Sequence, residues 1–190
     1  MINQKIGVYA MILLIAAVIL AGVGAVTAWV ELHEVVSNVK VLNSESDKGT
    51  ALVIYQKGLR DFQPKVASAF AAGLISSGWR VEITTVSSHA PTDISNYDLL
   101  VIVWPTYFFS PSLPIRRYLR RVRDLEGKHT VIICTAAGAP AGSCEKMKSL
   151  VQAANGSVVK SLTLFTMRPN EGNGDPLQIA ANIGKGIPLP

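Results

Sequence analysis

The chain has 190 residues, a formal net charge of +5 at pH 7, and 49% hydrophobic residues. This length predicts one globular domain with additional segments. The excess of basic residues favours anionic partners, but no RNA- or DNA-binding motif accompanies it, so we expect no nucleic-acid partner. The cysteines and histidines are too few and too widely spaced to predict a disulfide framework or a metal site. They are Cys134, Cys144, His33, His89 and His129.

The amino-terminal segment predicts a membrane anchor. Residues 6–30, IGVYAMILLIAAVILAGVGAVTAWV, contain no charged residue. A helix needs about 20 apolar residues to cross a bilayer core. Tyr9 and Trp29 lie near the two ends of the run, where amphipathic rings prefer to sit. We therefore expect residues 1–30 to be a single-pass anchor in the lipid bilayer, followed by a polar linker over residues 31–48.

A secretory signal peptide is the alternative interpretation. Lys5 would supply its basic region, and Val26 and Ala28 would pass as small residues before a cleavage site. The apolar core of a signal peptide usually has about 7–15 residues, and this run is longer, which favours an uncleaved anchor. Lys and Arg nearly balance on the two sides, so the pattern leaves open which side of the membrane bears the domain.

Strand and helix patterns alternate through residues 49–190, which predicts a single α/β domain with a parallel sheet and helices on both faces. The strands 99–103 and 130–135 are continuously apolar, as expected for strands covered on both sides. The predicted strands are 50–55, 80–86, 99–103, 130–135 and 157–165, and the predicted helices are 64–77, 114–122, 143–154 and 176–185.

Three loops are expected to meet at one edge of this sheet. In such folds ligands bind outside the carboxyl ends of the strands, where the strand order reverses. The loops that begin at Gln56, Trp104 and Ala136 follow the first, third and fourth strands. The first has basic residues before a helix, the second is rich in aromatic residues and proline, and the third has small residues. Together they predict a pocket for a flat ligand with a phosphate.

The quoted segments of these loops resemble those of the flavodoxin family. WPTYFFSPSLPIRRYL is similar to the loop and helix after the third strand of that family, and LEGKHTVIICTAAGAP to its fourth strand and loop. VIYQKGLRDFQPKVASAFA resembles its first strand, phosphate loop and helix. The resemblance implies a doubly wound five-stranded parallel sheet of order 2-1-3-4-5. It also implies bound FMN, electron transfer or FMN-dependent oxidoreductase activity, and a redox protein as partner.

The resemblance also implies which residues bind FMN, and Tyr107 is the first choice for stacking on its ring. No side chain stands out as a catalytic acid, base or nucleophile, and no metal is expected. The implied phosphate loop contains Gln56, Lys57, Gly58, Arg60 and Gln63. The implied ring-flanking loops contain Pro105, Thr106, Tyr107 and Phe108, and Thr135, Ala136, Ala137 and Gly138.

The first loop departs from the family pattern. Family phosphate loops are usually rich in Ser and Thr, but residues 56–64 contain neither, and Asp61 would repel an anion. Trp104 also stands where small residues are common. These departures leave a second hypothesis open, in which the chain is a flavin-free flavodoxin-like interaction module at the membrane.

Overall fold

The computed structural model describes residues 2–106, 110–138, 140 and 142–188, with side chains from Gly7 onward. The chain divides into two compact units, Met1–His33 and Glu34–Pro190. We describe each unit by itself.

The first unit is one helix, α1, which spans Ile2–Leu32. Within it, Gly7–Leu32 is long and apolar enough to cross a membrane, and most of its side chains are exposed. Thr27 is a polar residue in this stretch, and its hydroxyl donates to the carbonyl oxygen of Val23 at 2.9 Å. The hydroxyl is therefore satisfied within the helix, as an apolar surrounding requires. The predicted apolar helix is confirmed.

The second unit is a six-stranded sheet with two helices on each face. Its strands are β1 (Lys40–Val41), β2 (Gly49–Tyr55), β3 (Trp79–Thr85), β4 (Leu99–Pro105), β5 (His129–Ala136) and β6 (Ser157–Phe165). Its helices are α2 (Phe62–Ser76), α3 (Leu113–Val122), α4 (Ser143–Ala153) and α5 (Pro176–Lys185), with a 3-10 turn at Glu171–Asn173.

The strand order is β1-β3-β2-β4-β5-β6. Strands β2 to β6 are parallel. When these five strands alone are numbered along the chain, their order in the sheet is the predicted 2-1-3-4-5. The sequence did not predict β1, a two-residue strand that pairs antiparallel with β3 inside residues 31–48. Two residues carry no periodic pattern, so such a strand forms only because β3 offers it a free edge.

Alternate side chains of the central strands fill two separate cores. Odd-numbered residues of β4, such as Val101, pack with α2 and α5, whereas even-numbered ones, such as Ile102, pack with α3 and α4. Every residue of β4 is buried, as expected for a strand in the middle of a two-sided sheet. The helices thus flank the sheet and leave the carboxyl ends of its strands to the loops.

A cluster of arginines lies on and just after α3. Ile115 and Tyr118 are buried against the sheet, and Arg117 and Arg120 are exposed. Arg121 instead reaches the carbonyl oxygens of the turn after β3, donating to Ser87 and Ser88. Most of these arginines therefore lie on a solvated helix face, and Arg121 is hydrogen-bonded to a neighbouring turn.

Candidate functional site

The strand order reverses between β2 and β4. From β2 the chain crosses to β3 on one side, and from β4 it crosses to β5 on the other. The backbone N–H of Gln56, the first residue after β2, donates to the carbonyl oxygen of Val103 in β4 at 3.0 Å. This hydrogen bond keeps the two strand ends together at the point where such sheets bind ligands.

Thr135, near the end of β5, connects all three predicted loops. The side-chain amide of Gln63, in the first turn of α2, donates to the Thr135 hydroxyl at 2.8 Å. That hydroxyl donates in turn to the carbonyl oxygen of Trp104 at 3.0 Å. The backbone N–H of Thr106 donates to the carbonyl oxygen of Thr135 at 2.8 Å. The structure therefore brings Gln63, Thr106 and Thr135 together, as the convergence of the three loops requires.

The predicted phosphate loop carries one ion pair of its own. Lys57 Nζ lies 3.5 Å from Asp61 Oδ1, and both side chains are exposed. Asp61 is also the N-cap residue of α2, but its side chain makes no capping hydrogen bond. The carboxylate thus offsets the charge of Lys57 at the helix end that was predicted to hold an anion. Arg60 is exposed, and no acidic side chain in the described part of the chain forms an ion pair with it.

The predicted ring-flanking loop is described only at its start. Pro105 is buried at the end of β4 and pairs with Thr135 in register. Thr106 follows and is half-buried. Tyr107 and Phe108, which were predicted to flank the ring, lie outside the described residues. Trp104 is fully buried in the core on the α3 and α4 side, so its ring fills the core.

The third loop is hydrogen-bonded to the residues that follow β6. The N–H groups of Thr166 and Met167 donate to the carbonyl oxygens of Ala136 and Ala137 at 3.0 and 3.2 Å. Ala136 is buried, whereas Ala137 is exposed. A methyl group at Gly138 would meet no atom of the described residues within 4 Å.

A polar cluster that the sequence analysis missed lies on the other face of the same sheet edge. The hydroxyl of Ser143 accepts from the indole N–H of Trp104 and from the hydroxyl of Thr106, each at 3.2 Å. The Thr106 hydroxyl also lies 2.8 Å from Cys134 Sγ. Cys144 Sγ lies 3.2 Å from the hydroxyl of Thr163. The sequence indicated this cluster only through the positions of two of its residues. Cys134 falls near the end of a predicted strand, and Cys144 near the start of the next predicted helix.

The loop after β6 adds a further basic residue at this edge. The guanidinium of Arg168 lies 3.9 Å from the ring centroid of Phe165. The side chain of Asn170 bonds to both backbone groups of Phe165, at 2.8 and 3.0 Å. These residues, with Phe62 and Pro176 among others, line an open cleft of about 470 Å³. The sequence analysis placed no functional residue in this region.

No protein-family model and no curated protein sequence matches the chain. Solved structures do match it. A flavodoxin from the domain Archaea has a TM-score of 0.59 at 14% identity, with 72% of this chain and 94% of that chain covered. The Megasphaera elsdenii flavodoxin has a TM-score of 0.59 at 13% identity, covering 72% and 99% of the two chains. An NAD(P)H:quinone oxidoreductase from Methanothermobacter marburgensis has a TM-score of 0.55 at 16% identity, covering 74% and 97%.

These similarities agree with the strand order, the two-sided helix packing and the switch point between β2 and β4. At such identities they establish the architecture of residues 34–190 and not the activity. The second unit of the chain therefore has the flavodoxin-like fold.

Proposed function

We propose that the chain binds FMN at the carboxyl end of its sheet and acts in electron transfer or as an FMN-dependent oxidoreductase. The observation that carries the proposal is the network around Thr135, which joins the loops after β2, β4 and β5 at the switch point. A flavin bound there would supply one- or two-electron chemistry, and the protein would bind and orient it.

The described residues fit such a ligand in three respects. Among the described residues, none stands within 4 Å of a methyl group placed at Gly138, which leaves room for a ligand to approach the backbone of the third loop. Arg60 is exposed beside the start of α2 and supplies a cation for a phosphate. Gln63 and Thr135 hold the first and third loops at a fixed separation, which lowers the cost of ordering them on binding.

A comparison of FMN with riboflavin tests the role of the first loop. We expect wild-type protein to bind FMN more tightly than riboflavin in fluorescence-quenching titrations, because only FMN has a phosphate. Arg60→Ala should weaken FMN binding about tenfold, corresponding to about 1.4 kcal/mol, and leave riboflavin binding unchanged. Arg117→Ala, an exposed arginine on α3, is the matched control and should change neither. Equal losses of affinity for FMN and for riboflavin would show that Arg60 does not bind the phosphate.

A flavin-free interaction module is the second candidate function. It is favoured by the first loop, where no hydroxyl is present and Asp61 places a carboxylate at the start of α2 beside Lys57. This alternative predicts that neither flavin binds in the same titrations. It also predicts that Asp61→Asn, which removes the repelling charge, leaves the protein unable to bind FMN.

We also propose that α1 anchors the protein in a lipid bilayer and brings it close to a membrane-bound redox protein. The 26 residues of Gly7–Leu32 are long enough, since a helix rises about 1.5 Å per residue and the hydrocarbon core is about 30 Å thick. Tethering raises the effective concentration of the domain near such a partner.

Membrane extraction and mass measurement distinguish an anchor from a signal peptide. We expect the expressed protein to stay in the membrane pellet after alkaline carbonate washing and to enter solution only with detergent. Its intact mass should include residues 1–30. A soluble protein whose intact mass corresponds to a chain that starts after Ala28 would show that the segment is a cleaved signal peptide.

A further inference from the structure

The fold brings the two cysteines of the chain close together. Cys134 lies in β5 with its side chain fully buried, and Cys144 is the second residue of α4 and half-buried. Cys134 pairs in register with Thr163 of β6, and Cys144 Sγ lies 3.2 Å from the hydroxyl of that same threonine. Paired residues of neighbouring strands lie about 4.8 Å apart and point to the same face. The Cys144 sulfur therefore lies beside Cys134.

The two thiols have different acidities. The hydrogen bond from Cys134 lowers the pKa of Cys144 to about 7, and Thr163 acts in the same direction. Burial and the carboxylate of Glu145 act in the opposite direction. Cys144 also lies in the first turn of α4, where the helix dipole favours a thiolate. The same hydrogen bond, together with burial, raises the pKa of Cys134, so Cys134 stays a thiol.

We propose that Cys134 and Cys144 are a redox-active thiol pair that reduces low-molecular-weight disulfides and closes into an intramolecular disulfide bond. The inference is independent of flavin binding, because it rests on the position of both cysteines beside Thr163 at the α4 side of the sheet.

The reaction has two exchange steps. The Cys144 thiolate attacks one sulfur of the small disulfide, a bond forms between them, and the other half leaves as a thiolate. Cys134 then gives up its proton and attacks Cys144 Sγ as a thiolate, which displaces the second half of the small disulfide as a thiolate that takes up a proton. The two cysteines lose two hydrogens in total, and the small disulfide is reduced to two thiols. The electron balance needs no other reactant.

The positions of the two sulfurs decide which one reacts first. Cys144 is half-buried and so reachable by a small molecule, whereas Cys134 is buried beneath it. Thr106 and Ser143 adjoin the pair, through the 2.8 Å contact of Thr106 with Cys134 and the 3.2 Å bond of Thr106 to Ser143. The oxidised pair would therefore lie directly beside the start of the loop after β4.

The test uses full-length protein in detergent, reduced and then treated with 2-hydroxyethyl disulfide, with remaining thiols trapped by N-ethylmaleimide. Intact mass spectrometry should show wild-type protein that has lost two hydrogens and carries neither maleimide nor the hydroxyethyl group. Cys134→Ser should stop at a mixed disulfide on Cys144. Cys144→Ser should keep Cys134 unreacted until the protein is denatured.

Wild-type protein alone provides a second measurement, in case a cysteine variant folds poorly. Protease digestion without reductant should give a peptide pair joined through Cys134 and Cys144, and a non-reducing gel should show a monomer. A wild-type protein that keeps both thiols, stops at a mixed disulfide or forms a disulfide-linked dimer under these conditions would overturn the proposal.

Discussion

Thr135 shows how one side chain can determine the geometry of a whole site. Its hydroxyl accepts from Gln63 and donates to the carbonyl oxygen of Trp104, and all three groups are buried. A buried polar group that loses its partner costs more than the hydrogen bond itself contributed, because the group remains desolvated. The spacing of the first and third loops therefore depends on a single hydroxyl.

Thr135→Val should lower the free energy of unfolding by roughly 1–3 kcal/mol, since the amide of Gln63 stays buried without its acceptor. Urea unfolding followed by circular dichroism measures the effect. The double variant Gln63→Leu with Thr135→Val should lose less than the sum of the two single changes, because it removes both partners. Additive losses would show that the two side chains do not interact.

The thiolate of Cys144 gives a pH dependence with a defined sign. Its pKa is lowered to about 7, chiefly by the hydrogen bond from Cys134, against the opposing effects of burial and Glu145. Since only the thiolate reacts, the rate of iodoacetamide alkylation should rise with pH, reach half its maximum near that value, and then level off.

Cys134→Ala removes the donor and should move the midpoint of this alkylation profile to higher pH. The other groups that face Cys144, Thr163 and Ser161 on β6 and Glu145 on its own helix, are unchanged in this variant. A wild-type midpoint near the ordinary cysteine value of about 8.5 would contradict the assigned hydrogen bond.

At the scale of elements, α2 and α5 pack unusually closely. A methyl group added at Gly73 in α2 would overlap the carbonyl oxygen of Ala181 in α5, and one added at Gly184 would overlap that of Phe70. Both obstacles are backbone atoms, so no side chain can move aside. The two glycines therefore set the distance between the two helices. They also set the position of the start of α2, which directly follows the first loop.

Gly73→Ala should destabilise the fold by roughly 1–3 kcal/mol because of this overlap, although alanine is the better helix former by about 1 kcal/mol. Gly186→Ala is the matched control, since the nearest neighbour of its methyl group would lie 3.6 Å away. We expect the control to change stability by less than about 0.5 kcal/mol. Thermal unfolding compares the two variants, and similar stabilities would argue against the close packing.

The segment before β2 is a second element whose contribution can be measured. Asn43 donates to the carbonyl oxygen of Trp79 and accepts from the N–H of Val81, each at 2.9 Å. The hydroxyl of Ser37 accepts from the N–H of Thr85 at 2.9 Å. Together with β1 these bonds cover the outer edge of β3, which would otherwise present unpaired backbone groups.

A fragment that begins at residue 34 should therefore be more stable than one that begins at residue 49, by roughly 2 kcal/mol or more, since several partly buried hydrogen bonds are lost. Asn43→Ala in the longer fragment should account for part of the difference. Equal urea midpoints for the two fragments would show that residues 34–48 are only a linker.

At the scale of the whole molecule, the architecture could be predicted from the sequence because its hydrophobic patterns are strong. The continuous apolar runs of β4 and β5 and the helix periods between them predicted the parallel sheet with helices on both faces, and the resemblance to flavodoxins implied the strand order, which is confirmed. The uncharged run of α1 predicted its helix for the same reason. Such signals depend on burial, which acts on many residues at once.

The site was harder to predict, because its contacts join single residues far apart in the chain. Gln63 and Thr135 are 72 positions apart, and no local pattern indicates that an amide and a hydroxyl will meet. To predict that Cys134 and Cys144 lie close together would have required the register of β5 with β6 and the position of α4. The Lys57–Asp61 ion pair lies before the start of α2, so the spacing rule for side chains on a helix could not have predicted it.

The flavin content of the purified full-length protein tests the central claim most directly. The account predicts a yellow protein with the absorbance spectrum of bound flavin, from which FMN is released on denaturation at close to one molecule per chain. A colourless protein that also fails to bind added FMN would contradict the proposed redox function and leave the flavodoxin-like fold without a flavin.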